Sequence, residues 1–103
     1  MSALIRHMSA WVYIMTNKPR GTLYIGATGD LVRRVWEHRE AQGPNAFTTR
    51  YDLKMLVYYS PFGSFELAEL REHALKHWNR QWKLDLIEEM NPKWTDLWAQ
   101  ITR

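Results

Sequence analysis

The chain has 103 residues, 46% of them apolar, with six tryptophans and no cysteine. That length allows one domain around one modest core, and the lack of cysteine excludes a disulfide scaffold and any Cys-ligated metal. Net charge is +3 but uneven, with eight Lys/Arg against four Asp/Glu in residues 1–60 and six against seven in residues 61–103.

Nine of the fourteen cations are arginine, whose planar fork suits phosphate better than lysine does. A basic front half hints at nucleic acid, although an ordinary soluble surface would look the same. No apolar run approaches a membrane span, and residues 1–7 are too short and polar for a signal peptide. The expectation is a cytoplasmic protein with no membrane partner. Residues 1–10 form an N-terminal extension, with Met8 as an alternative start, residues 11–98 the domain, and residues 99–103 a C-terminal tail.

Residues 11–15 have the alternation of a strand. Asn17-Lys18-Pro19-Arg20-Gly21 is turn chemistry, and residues 23–26 resume extended structure, so the front of the chain predicts a hairpin. A turn centred between Lys18 and Pro19 would set Tyr13 opposite Tyr24, and a slip of one residue would separate their rings. Asp30 is a candidate N-cap for a helix over residues 30–39, with Leu31, Val35 and Trp36 as its buried stripe. Gly43-Pro44 would end it. Residues 47–51 read as a loop, residues 54–59 as a third strand and residues 61–64 as a turn.

A second helix starts at Ser64, with Leu67, Leu70, Ala74 and Trp78 at helical spacing. A third, over residues 81–90, presents Trp82, Leu86 and Met90 on one side. Asn91-Pro92 breaks it, with Asn91 as N-cap of the next segment, and residues 94–100 could form a last short helix. The order ββαβαα predicts an α+β fold, a small three-stranded antiparallel sheet flanked by helices.

Arg34 and His38, four apart on the first helix, share a face that could overlook the tyrosines. The plainer reading pairs Arg33 with Glu37 and leaves Arg34 as a solvated charge. Tyr58 and Tyr59 need no role beyond strand packing. Glu72 borders the apolar positions Ala68 and Leu75 and therefore needs a partner, either a metal ion or Arg71; Glu69 is its competitor. His73 and His77 are also i,i+4, but no third ligand stands at metal spacing. The tryptophan pairs 78/82 and 94/98 read as core before they read as a stacking platform for bases.

Val12-Tyr13-Ile14 and Tyr24-Ile25-Gly26 resemble the paired tripeptides of the GIY-YIG nuclease family, with Trp11 at the name-giving glycine. Asp30 to His38 is similar to the family's D-L-x-x-R-x-x-x-H segment. Phe47-Thr48-Thr49-Arg50-Tyr51, Leu56-Val57-Tyr58-Tyr59, Arg71-Glu72, the stretch from Trp78 to Trp82 and Asn91-Pro92-Lys93-Trp94 resemble its small stand-alone bacterial members. The resemblance implies hydrolysis of a phosphodiester with one divalent ion, Mg²⁺ or Mn²⁺. Tyr13 would deprotonate water, Tyr24 position Tyr13 or the phosphate, Arg34 stabilise phosphoryl charge beside His38, and Glu72 hold the metal. Arg33, Arg50 and Asn91 would face the substrate.

A free tyrosine has a pKa of about 10 and is a poor base at neutral pH. Positive charge on Arg34 and His38 is the expected remedy. The resemblance implies a DNA endonuclease of low sequence preference, in repair or processing, with branched, single-stranded and duplex DNA, or RNA, all open as partner. The alternatives are a nucleic-acid-binding module with weak or no cleavage, and a protein-interaction domain using exposed tryptophans.

Overall fold

The computed structural model describes residues 9–40 and 50–103. The extension through Met8, the helix stop at Gly43-Pro44 and residues 47–49 of the expected loop lie outside the described residues. Three strands form one antiparallel sheet: β1 (Ala10–Thr16), β2 (Leu23–Thr28) and β3 (Met55–Phe62), in the order β2-β1-β3. The helices are α1 (Leu31–Arg39), α2 (Phe65–Lys76), α3 (Arg80–Met90) and the short α4 (Trp98–Ile101). The α+β class and the three-stranded sheet match the sequence expectation.

The middle strand divides the core. Ala10, Val12 and Ile14 face one side, with Ala68 and Leu75 of α2 and Leu84 and Ile87 of α3. Trp11, Tyr13 and Met15 face the other, with Leu31 and Val35 of α1 and Ile101 of α4. Every residue of β1 is buried, because a central strand covered by helices on both faces has no solvent side. A bulge at Ile14/Met15 leaves Val57 as the extra residue on β3. It lets Val57 and Tyr58 both join the α2/α3 side while Leu56 and Tyr59 join the other.

Several local readings change. Pro61 lies inside β3, paired with Trp11, instead of in a turn; β3 is an edge strand, where a missing N–H costs least. The buried stripe of α1 is Leu31, Val35 and His38, and Trp36 is 46% exposed. On α2 the stripe is Ala68 and Leu75, whereas Leu67 and Leu70 point to solvent. On α3 it is Leu84 and Ile87, leaving Trp82 and Met90 exposed. These helices carry two apolar faces each, and only contact with the sheet selects between them.

The expected caps at Asp30 and Ser64 are present, their side chains accepting from Arg33 N and Leu67 N at 3.2 Å. Asn79 caps α3 in the same way, accepting from Trp82 N at 2.9 Å. Asn91, expected as an N-cap, is instead the C-cap of α3. Its buried amide donates to Val57 O (3.1 Å) and Thr95 O (2.8 Å) and accepts from Thr95 N (3.0 Å). It thus fastens the end of α3 to β3 and to the segment beyond. No helix among the described residues is long and apolar enough to cross a membrane. Replacing Asn91 by Ala leaves three polar backbone groups without their partner, so a loss of about 2–3 kcal/mol is expected; urea unfolding of Asn91→Ala against the parent chain measures it.

Candidate active site

The hairpin that presents the tyrosines turns one residue later than the centre its sequence suggests. Thr16 pairs with Leu23, and the residues between are held by Thr16 Oγ1 donating to Thr22 O (2.8 Å) and Thr22 N donating to Asn17 Oδ1 (3.1 Å). Arg20 adopts a left-handed φ of 57°. Tyr13 therefore pairs with Gly26, and Tyr24 with Met15. The register differs from the expected Tyr13–Tyr24 pairing by two residues. Because strand side chains alternate with period two, an even shift keeps both tyrosines on one face. Their ring centroids stand 6.2 Å apart.

Gly26 makes room for this arrangement. A Cβ there would lie 2.6 Å from both Cζ and the hydroxyl oxygen of Tyr13, well inside van der Waals contact. The glycine of the second tripeptide is therefore required by the tyrosine of the first, which crosses over it. Helix α1 closes the site from the same side of the sheet. His38 stands three positions after Val35, so it joins the buried stripe, and its Nε2 lies 2.9 Å from the Tyr13 hydroxyl. The rings of Tyr24 and His38 stand 5.3 Å apart. One turn earlier, Arg34 brings its positive charge to bear on the same phenol.

These neighbours compete. Burial and the nearby Tyr24 push the Tyr13 phenol far above its ordinary value, and Arg34 pulls it down without overcoming them. His38 is lowered to about 4 by burial and by the Arg34 charge, against a smaller opposing pull from Glu37. Of the two expected sources of positive charge, only Arg34 supplies any at neutral pH. His38 is a neutral hydrogen-bond partner there. Glu37 faces two of the three arginines of α1, Arg34 at 3.3 Å and Arg33 at 3.7 Å. Helical spacing permits either contact, and the sequence expectation of Arg33 alone is half of the arrangement.

The other candidates lie elsewhere. Arg33 lines a surface groove of about 680 Å³ together with Asp30, Val32, Trp36 and Trp98. Arg50 is exposed, its guanidinium 5.4 Å from the Tyr51 ring centre. The Asn91 amide is committed to the backbone contacts described above. Glu72 is largely covered, its side chain 15% exposed, as its place beside Ala68 and Leu75 suggests. Its partner is Lys76 at 3.0 Å; Arg71, the expected one, lies instead over Trp78 at 4.9 Å. Glu69 is exposed. Helix α2 packs against β2 and β1 in the layer opposite α1, and β2 is the edge strand that carries Tyr24 and Gly26.

The GIY-YIG catalytic domain family matches residues 9–85. This chain belongs to that family. GIY-YIG domains are nuclease domains, and Tyr24 and Gly26 of the second name-giving tripeptide pack against Tyr13 of the first. A UPF0213 protein of Staphylococcus saprophyticus is 35% identical over 79 residues, spanning 77% of this chain and 94% of its own length. One from Haloquadratum walsbyi is also 35% identical, spanning 77% and 86%. The UPF0213 protein YhbQ of Escherichia coli K12 is 29% identical over 82 residues, spanning 80% and 81%. No solved structure gives a significant match.

GIY-YIG nucleases generally depend on a divalent metal, and the residues present can be tested for fit. No group of three or more His, Cys, Asp or Glu able to hold a metal occurs among the described residues. This argues against a closed transition-metal site, including one at His73 and His77. Mg²⁺ makes no such demand, since it is commonly held by one or two carboxylates with phosphate oxygens and water. Glu72 is an oxygen donor of the right hardness, and it suits Mg²⁺ provided that Lys76 gives way.

The packing of Tyr13 has two measurable consequences. Gly26→Ala forces the ring or the strands apart, with an expected cost of about 1–3 kcal/mol and displaced Tyr13 and His38 resonances in an NMR spectrum. His38 binds its proton less readily folded than unfolded. Its contribution to stability is therefore complete above pH 6.5 and is lost as pH falls from 6.5 through about 4. Denaturation of the parent chain across that window should show uptake of about one proton on unfolding that His38→Gln removes.

Proposed function

We propose that this chain is a divalent-metal-dependent endonuclease that hydrolyses phosphodiester bonds in DNA with little sequence preference, in repair or processing. The observation that carries this reading is the buried hydrogen bond between the Tyr13 phenol and His38 Nε2, with Arg34 beside it, in a chain of the GIY-YIG family. Arg34 supplies a permanent cation where charge develops on the phosphoryl oxygens. Tyr24 packs against both Tyr13 and His38 and limits the positions the reacting phenol can take.

Tyr13 is a neutral phenol in the free protein, so taking a proton from the attacking water requires that its own proton pass to its hydrogen-bond partner, His38 Nε2, within the substrate complex. With the His38 proton on Nδ1, Nε2 accepts the hydrogen bond from Tyr13 and orients the phenolic oxygen toward the attacking water. Glu72 would hold the metal, which when bound supplies Lewis-acid stabilisation of the leaving oxygen. Arg33, beside Trp36 and Trp98 in the groove on α1, suits contact with the flanking nucleic-acid backbone.

A second reading has its own support. The strong burial of Tyr13 and the Glu72–Lys76 pair are also what a nucleic-acid-binding module with weak or no cleavage would show. Incubation of purified protein with branched, single-stranded and duplex DNA, and with RNA, under Mg²⁺, Mn²⁺ or chelator separates the two. The nuclease reading expects cutting that requires metal and that Tyr13→Phe lowers about 10²–10⁴-fold and Arg34→Ala about 10²–10³-fold. Glu72→Ala should abolish the metal response. Salt-sensitive binding with no cutting would favour the module, and equal cutting by all variants would refute the site assignment.

A further inference from the structure

Helix α3 has a second face that the fold leaves uncovered. Leu84 and Ile87 are buried against the sheet, while Trp82, Asp85, Leu86 and Glu89 stand at i, i+3, i+4 and i+7 along another side. Trp82 is 56% exposed, more than any other aromatic residue among the described residues. Its ring meets Trp78 edge to face, with centroids 5.8 Å apart and planes at 89°. A cavity of about 240 Å³ opens there, lined by Trp78, Trp82, Asp85, Leu86 and Glu89. This is smaller than the roughly 300–1,000 Å³ of pockets for drug-sized ligands and suits a single long side chain.

The lining also carries two carboxylates that no ion pair engages among the described residues. Glu88, on the same helix, is engaged by Arg20 and by the Trp94 indole, each at 2.7 Å. Asp85 and Glu89 form no ion pair among the described residues; Asp85 accepts a hydrogen bond from the neutral amide of Gln81 at 2.8 Å. Two carboxylates beside exposed ring faces repel phosphate, so nucleic acid does not fit. They favour a cation, and a planar one above all, because it can stack on indole while donating a fork of hydrogen bonds to carboxylate. The Trp78 ring already accepts one guanidinium, that of Arg71.

We propose that this aromatic–acidic pocket binds an arginine side chain from a basic segment of a partner protein. The pocket belongs to the layer opposite Tyr13 and His38, and the proposal does not depend on the nuclease reading.

The test is an NMR titration of the full chain with a hexa-arginine peptide, with hexalysine and spermidine in parallel. Hexa-arginine should shift the Trp78 and Trp82 indole signals and the Asp85 and Glu89 amides, and it should bind more tightly than either other cation. Trp82→Ala and, separately, Asp85→Asn with Glu89→Gln should each weaken binding about tenfold with the circular dichroism spectrum and any nucleic-acid activity unchanged. Shifts centred elsewhere, undiminished binding by the charge variant, or tighter binding of spermidine than of the peptide would overturn the proposal.

Discussion

The tyrosine that crosses Gly26 and bonds to His38 ties together the hairpin, the middle strand and helix α1. Its position requires three conditions at once: a partner residue without a Cβ, an even register between β1 and β2, and a helix whose buried stripe ends in a hydrogen-bonding side chain. Each condition alone is ordinary. Together they place a phenol, an imidazole and a guanidinium around one oxygen within a sheet face otherwise filled by Trp11, Met15, Leu31 and Val35.

That apolar setting sets the electrostatics. Low dielectric surroundings oppose ionisation of Tyr13 and protonation of His38 alike, so the pair is neutral although Arg34 lies close. A neutral phenol and a neutral imidazole retain the hydrogen bond without a buried ion pair and its desolvation cost. It also means that any chemistry at Tyr13 draws on the charge of the group that binds there, with Arg34 as the resident cation.

The sheet also separates two environments. The α1 side carries Tyr13, Tyr24, Arg33 and Arg34, and the α2/α3 side carries a covered carboxylate at Glu72 and the acidic, tryptophan-lined pocket on α3.

Much of this was legible in one dimension. The turn residues between two short apolar runs, the caps Asp30 and Ser64, and the spacing of Arg34 and His38 depend on local chemistry, and the paired tripeptides marked the family. Side-chain alternation put Tyr13 and Tyr24 on one face despite a register error of two residues, because period-two geometry tolerates even shifts. Competition among distant groups was not legible. Trp36, Trp82 and Leu70 have the spacing of buried residues yet face solvent, since these helices offer more than one apolar face and sheet contact selects among them. Asn91 has the neighbours of an N-cap, but Val57 O, 34 residues away, turns it into a fastener. Whether Tyr13 is neutral depends on the balance of burial against Arg34, and whether Glu72 meets Arg71 or Lys76 depends on where Trp78 sits. The order of residues determined which groups this protein has and roughly which face each occupies. Only the packed tertiary structure decided which of them meet, because burial and long-range contacts set the energies that choose among locally equivalent arrangements.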